Sequence, residues 1–246
     1  MEQTITNQSL LSDKAILEFV KSGKIVISPF IRDNLNTSSF DVTLGPYYFR
    51  ESQTDSGYTV YNPYSESNVK RVWGECHIAE TSQSFFEKTG IKLENIEPTD
   101  LIIWIKPGET ILAHTNEFIG GQSTVTTMMK ARSSLGRNFI EVCKCAGMGD
   151  IGYINRWTME ITNNSRMHSI PLVVGRRVAQ IVFFDTDGCA GSSYENTGKY
   201  QTSNDINQLR ENWKPSDMLP KMYKDREIKN GTKTFNPKDY PNLLIK

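Results

Sequence analysis

Four cysteines in 246 residues, Cys76, Cys143, Cys145 and Cys189, are too few and too scattered for a disulfide framework. Neither sign of charge is in excess. Lys+Arg 28 balances Asp+Glu 28, for a formal net charge of zero. Without a global positive field the chain lacks the cheapest driving force for holding a polyanion. General nucleic-acid binding is therefore not expected, although a local basic pocket is still allowed. Long hydrophobic runs are missing too. The longest, residues 101–105 and 181–184, fall far short of the roughly 18 residues of a membrane span. Residues 1–10 are polar and carry no apolar segment of secretory type, so a cytoplasmic protein without membrane association is expected. No internal repeat is found.

At 37% hydrophobic and 23% charged residues, the chain can bury a sizeable core, either as one domain or as one domain with an extension. Ser12 is placed to cap a helix, with Asp13 in its first turn. Ile16, Phe19 and Val20 follow on one face, and Gly23 is placed to end it. From Lys24 the period changes to two. Short β-type runs centre on Ile25 and Ile27, on Phe40, Val42 and Leu44, and on residues 101–105, 110–113, 123–129, 156–162 and 178–184. Pro107-Gly108, Gly120-Gly121, residues 163–165 and Gly175 read as turns between them. Many short strands with few helices predict a mainly β fold, a sandwich or barrel of jelly-roll type.

Two stretches break this pattern. Residues 51–100 are rich in Ser, Glu, Tyr and Asn and read as an extended surface insertion. Residues 202–246 carry nine Lys/Arg against six Asp/Glu with four prolines, and read as a partly helical extension that wraps something. A helix near residues 205–213 is allowed. The domain expectation is therefore residues 1–201, with the insertion, followed by an extension over 202–246.

Cys143-x-Cys145 with His77, His114 and His168 raises the question of zinc. A zinc deaminase needs His-x-Glu and Pro-Cys-x-x-Cys, and neither string occurs. The two cysteines are expected to be small buried hydrophobes. The densest polar constellation is residues 130–137, KARSSLGR. Its arginine forks and serine hydroxyls suit phosphate oxygens, the plain alternative being a capped helix with solvated arginines. Residues 146–153, AGMGDIGY, read as a hairpin whose glycines allow close approach of a ligand. At its tip Asp150 is suited to a sugar hydroxyl and Tyr153 to stacking on a ring; the alternative is a turn that satisfies only itself. Strand alternation puts Thr158, Glu160 and Thr162 on one face. A carboxylate buried there has its pKa pushed toward the range of proton transfer, whereas on a wet edge strand it does nothing.

Together these strings resemble the dCTP deaminase branch of the dUTPase-like superfamily over about residues 10–201. The segments LSDKAI (11–16), SSFDVTL (38–44), PGETILA (107–113), ARSSLGR (131–137), the Asp150 hairpin with Glu160, VAQIVF (178–183) and KYQ (199–201) follow in the family's order. The resemblance implies a distorted β-barrel that forms a homotrimer with shared active sites, and Mg2+ that arrives on the triphosphate with no zinc. It implies Glu160, Ala146 and Arg137 as the catalytic set, with Ala146 leaving room beside the base. Substrate binding would fall to Arg132, Ser133, Ser134, Arg137, Asp150, Tyr153, Gln180, Tyr194, Lys199, Tyr200 and Gln201. Asn155 stands where a hairpin Gly is expected and tolerates a left-handed backbone. Gly149 replaces the usual Ile.

The expected reaction is zinc-independent deamination of dCTP to dUTP and ammonia. Ala146-Gly147 resembles the bifunctional members that continue to dUMP and pyrophosphate, which is the first alternative. A plain dUTPase would not need Glu160. A silent nucleotide-binding regulatory trimer leaves the Arg/Ser/Asp/Glu set idle, and a carbohydrate-binding or capsid jelly roll leaves the phosphate-type cluster unexplained.

Overall fold

The computed structural model describes residues 9–52, 59–191, 193–201 and 203–231, so residues 232–246 of the expected extension lie outside the described residues. In chain order the elements are α1 (Asp13–Lys21), β1 (Ile25–Ser28), β2 (Leu35–Asn36), β3 (Ser39–Arg50), α2 (Glu66–Trp73), β4 (His77–Ile78), β5 (Glu80–Thr81) and α3 (Ser82–Thr89). There follow β6 (Leu101–Ile105), β7 (Thr110–Gly121), β8 (Val125–Ala131), α4 (Ser133–Gly136), β9 (Ile140–Val142), β10 (Met148–Gly149) and β11 (Ile154–Asn163). The last are β12 (Ile170–Val173), β13 (Arg177–Asp185), α5 (Tyr194–Thr197), α6 (Ile206–Asn212) and α7 (Arg226–Asn230), with single 3-10 turns at Pro215–Met218 and Met222–Lys224.

The mainly β expectation holds. The main sheet runs β10-β8-β13-β3-β7-β11-β9, with β12-β6-β5 as a second small sheet, and every pairing is antiparallel. The sheet curls because β3 changes partners along its length. Residues up to Thr43 pair with β13, whereas Leu44 onward pairs with β7 across a register shift. Gly45 sits at this bend, and a Cβ there would lie 2.0 Å from the His114 ring. Phe40, Ile105, Ile111, Met159, Ile161, Ile181 and Phe183 fill the interior and are essentially inaccessible. The predicted first helix forms as expected, with the Ser12 hydroxyl accepting from the Ala15 N–H and Ala15, Ile16 and Phe19 buried.

Three sequence expectations change. Gly120-Gly121 does not turn but ends β7, where a Cβ on Gly120 would meet the Tyr153 carbonyl at 1.8 Å. The glycine is there so that the 150–153 hairpin can close onto the strand; the turn follows, with Ser123 at φ 64. Residues 51–100 are not merely extended, since α2 and α3 lie within them. Each helix is capped by a hydroxyl (Ser65, Thr81) and ended by a glycine (Gly74, Gly90). Val69, Val72 and Phe85 are the apolar contacts that hold them, too few among polar neighbours to raise a periodic signal. The extension, finally, wraps the protein's own barrel. Leu209 packs against Phe118 and Ile154, and Trp213, Met218 and Leu219 pack against Phe49 and Leu112. No helix among the described residues is long and apolar enough to cross a membrane.

Candidate active site

β11 carries the central carboxylate. Along it Arg156, Thr158 and Glu160 are half-buried on one face while Trp157, Met159 and Ile161 point into the core. A register shift between Arg156 and Thr158 sits where the Trp157 N–H donates to the Thr115 hydroxyl (2.9 Å) and its indole N–H donates to the Ile119 carbonyl (2.9 Å). Glu160 opens into a cavity of about 310 Å³ that is also lined by Ala146, Asp150, Tyr153, Tyr194 and Tyr200. Burial pushes its carboxyl above the ordinary range, against a hydrogen bond from its own backbone and the charge of Lys144, which act the other way.

The strap that delivers Ala146 is strained. Cys143, Lys144 and Cys145 have φ of 66, 35 and 68, three consecutive non-glycine residues in the left-handed region, each costing on the order of 1–3 kcal/mol. Their turn also separates the cysteines. Cys143 is buried, with its thiol pushed up to about 12 by desolvation, whereas Cys145 is exposed, contrary to the expectation of two buried thiols. Among the described residues no group of three or more His, Cys, Asp or Glu is arranged to hold a metal ion. His114 is inaccessible and neutral, its pKa lowered to about 4 by burial.

Gly147 and Gly149 keep the next residues against the sheet. A Cβ on Gly149 would stand 2.5 Å from the Trp157 indole and 2.4 Å from the Thr127 hydroxyl, and one on Gly147 would stand 2.4 Å from the Met129 carbonyl. At the hairpin tip Asp150 is exposed, and the positive φ belongs to Gly152 (+91), not to Asn155. Asn155 instead is buried, accepting the Arg156 N–H and donating to the Tyr200 carbonyl (2.8 Å each).

The Tyr153 ring packs edge-on between Trp157 (5.2 Å) and Tyr194 (5.1 Å). Gln201 is a staple and does not line the Glu160 cavity. Its carbonyl accepts the Ile154 N–H (2.7 Å) and its amide donates to the Gly152 carbonyl (2.8 Å), tying residues 194–201 to the hairpin. Lys199 is ion-paired with Asp225 and lies in the adjacent crevice, which Tyr200 and Gln201 also line.

The opposite wall of the cavity was not foreseen. Trp213, Asp217, Met218 and Pro220, all from the extension, line the same space as Glu160. An isolated tryptophan followed by Lys-Pro in a polar tail was the available signal, and one residue is too little to read as a wall.

The phosphate-type cluster lies elsewhere. α4 is a single turn with Arg132 at its N-cap position but no side-chain capping bond, and Ser133, Ser134 and Arg137 are exposed. Arg132 and Gln180 are engaged by Asp41, only 2% exposed, which takes Arg177 Nη1 (2.9 Å), Gln180 Nε2 (3.1 Å) and Arg132 Nε (3.8 Å). None of residues 131–137 lines the Glu160 cavity. One chain thus brings Glu160, Ala146, Asp150, Tyr153, Tyr194 and Tyr200 together, and holds Arg132, Ser133, Ser134, Arg137 and Gln180 apart from them.

Residues 10–186 match a protein family described as dCTP deaminase-like. A curated relative from Hydrogenobaculum sp. (strain Y04AAS1), named "dCTP deaminase, dUMP-forming", is 32% identical over 180 residues, covering 72% of this chain and 83% of its own length. One of the same name from Methanocaldococcus jannaschii is 29% identical over 193 residues, 78% of this chain and 90% of its own. Among solved structures, the 2'-deoxycytidine 5'-triphosphate deaminase from Agrobacterium tumefaciens aligns with a TM-score of 0.49 and 17% identity over 72% of this chain. The match spans 48% of that structure's chain.

Proposed function

The chain belongs to the dCTP deaminase-like family, and on that premise we propose that it deaminates dCTP at the Glu160 cavity and continues to dUMP and pyrophosphate. The observation that carries this reading is the half-buried Glu160, with its raised pKa, in one cavity with Ala146 and Asp150. The expectation that dUTP is the released product yields to its alternative. Both relatives described above are named dUMP-forming, and the Ala146-Gly147 string points the same way.

In the first step water adds to C4 of cytosine and gives up both its protons in turn, one to N3 and one to the leaving amine, and the C4–N bond breaks as the C4 hydroxyl becomes a carbonyl, leaving dUTP and ammonia. Glu160 is the group placed to accept the proton from water and pass it on. A carboxyl held above its ordinary pKa is the stronger base for that task. Ala146 leaves space beside the base, and Asp150 takes the sugar 3'-hydroxyl. In the second step water attacks the α-phosphorus and pyrophosphate leaves.

The triphosphate would be gripped by Ser133, Ser134 and Arg137. Because these lie away from Glu160 within one chain, the reading requires a neighbouring subunit to supply them, which supports an oligomer with shared sites; three subunits is the number the family resemblance implies. Serine hydroxyls and guanidiniums fit phosphate oxygens rather than a cation, so Mg2+ would enter on the nucleotide. Turnover should need Mg2+ and survive a zinc-selective chelator.

Arg137→Ala should weaken dCTP binding by ~1.5–3 kcal/mol, as for a lost charge-assisted hydrogen bond, and titration calorimetry measures it. Unchanged affinity would move the phosphate site elsewhere. Mixing and reassociating the Glu160→Gln and Arg137→Ala proteins should restore part of the activity missing from each, because some sites then combine an intact Glu160 with an intact Arg137. The proposal as a whole is tested by incubating the protein with dCTP and Mg2+ and resolving products by ion exchange. dUMP with pyrophosphate is expected; dUTP alone would return the first expectation, and no turnover of either dCTP or dUTP would sink both.

A further inference from the structure

A second cleft, about 450 Å³, lies between the extension and the barrel, lined among others by Ser28, Tyr47, Phe118, Arg156, Arg210 and Trp213. No Asp or Glu is among its lining residues. Arg156 comes from β11 on the barrel side and Arg210 from α6 on the extension side. Neither forms an ion pair with any described residue. The Arg156 guanidinium is stacked between the rings of Phe118 (5.1 Å) and Trp213 (4.8 Å), and its Nε is buried without a hydrogen-bond partner. Arg210 is exposed and donates one N–H to the Ser28 hydroxyl.

Glu117 is the carboxylate behind this cleft, and both its oxygens are taken by Thr43, from the backbone N–H (2.9 Å) and from the hydroxyl (2.8 Å). Burial is the main cause that lowers the Arg156 pKa; Tyr47 and Glu117 raise it, and Arg210 adds a smaller lowering from across the cleft. Two cations that face one cleft from opposite walls, with donors to spare and no carboxylate between them, are a receptor for an anion. An anion with three or more acceptor oxygens and close to two charges suits two forks better than a carboxylate does.

We propose that this cleft binds a phosphate oxyanion, held from the barrel by Arg156 and from the extension by Arg210. The bound anion bridges α6 to the barrel. Because the chain runs directly from α6 into Asp217, Met218 and Pro220, it also holds in place the wall that faces Glu160. Arg156 and Trp213 also line the Glu160 cavity, so the two sites share a wall, but Arg210 lines the cleft alone and the test does not depend on turnover.

The measurement is hydrogen–deuterium exchange of residues 206–212 in the full chain, with inorganic phosphate as probe. Exchange should slow by the factor 1 + [phosphate]/Kd, about tenfold at ten times Kd. Chloride at the same ionic strength should give no such slowing, and the exposed-site variant Arg210→Gln should lose it. Equal protection by chloride, or full protection in Arg210→Gln, overturns the proposal. Phosphate can be free or can be the tail of a bound nucleotide, and dCTP added to the Glu160→Gln protein separates the two. Arg210-dependent protection by dCTP alone assigns the cleft to the nucleotide's own phosphates. Phosphate protection that persists unchanged beside saturating dCTP assigns it to the free ion.

Discussion

Glu160→Gln binds dCTP and fails to deaminate it: that is the expected result, with turnover down by roughly 10²–10⁴-fold, the usual contribution of a positioned acid/base. Gln keeps the size and most of the polarity of the side chain, so the cavity shape and the Ala146 strap should be untouched. What is lost is the ability to take a proton from water. Ammonia release measures the loss and calorimetric titration checks that dCTP still binds; near-normal turnover in this variant would remove Glu160 from the mechanism.

The same substitution has a stability signature of opposite sign. Burial raises the Glu160 pKa, so the folded protein binds that proton more tightly than the unfolded chain does. The penalty for holding a charged carboxylate is therefore present at neutral pH. It fades as pH falls through the raised folded value and is gone below the ordinary value of 4.5. Glu160→Gln should be the more stable protein at pH 7, with the difference shrinking on acidification, as urea titrations at several pH values would show. A catalytic group that costs stability where it works is the expected trade.

Disruption of the contact between Trp157 and Gly149 has the largest expected effect on the fold. Trp157 is 4% exposed and both donates and packs, so Trp157→Ala should cost about 3–5 kcal/mol. Gly149→Ile forces a Cβ to within 2.5 Å of the same indole, and overpacking of this kind costs typically 1–3 kcal/mol. Together the two substitutions should cost less than their sum by ~0.5 kcal/mol or more, because the new side chain enters the space the indole leaves. Relief is partial, since the Thr127 hydroxyl remains 2.4 Å from that Cβ. Strict additivity in denaturant titrations would show that the two positions are not packed as a pair. The pairing accounts for the departure from the family pattern at residue 149: a glycine stands where Ile is usual because the indole of Trp157 fills that space.

Local signals in the chain were enough for α1, for the β-type runs, and for Glu160 facing away from the core, because caps and period-two alternation act over a few residues. The ordered motifs were enough for the family, and they named Asp150 and Ala146 beside Glu160. Helices α2 and α3 were hidden because one or two apolar contacts each do not make a period. The positions of Gly120 and Gly149 were misread or unexplained because a glycine's reason for being there is a distant atom, the Tyr153 carbonyl in one case and the Trp157 ring in the other. Only the tertiary structure could show that Gln201 ties residues 194–201 to the hairpin and that residues 213–220 close the cavity. It alone could separate residues 131–137 from Glu160 within one chain, or set Arg210 across a cleft from Arg156. Such relations join segments that are far apart in sequence, and nothing in local propensity or spacing records which distant surfaces the burial of a barrel will bring face to face.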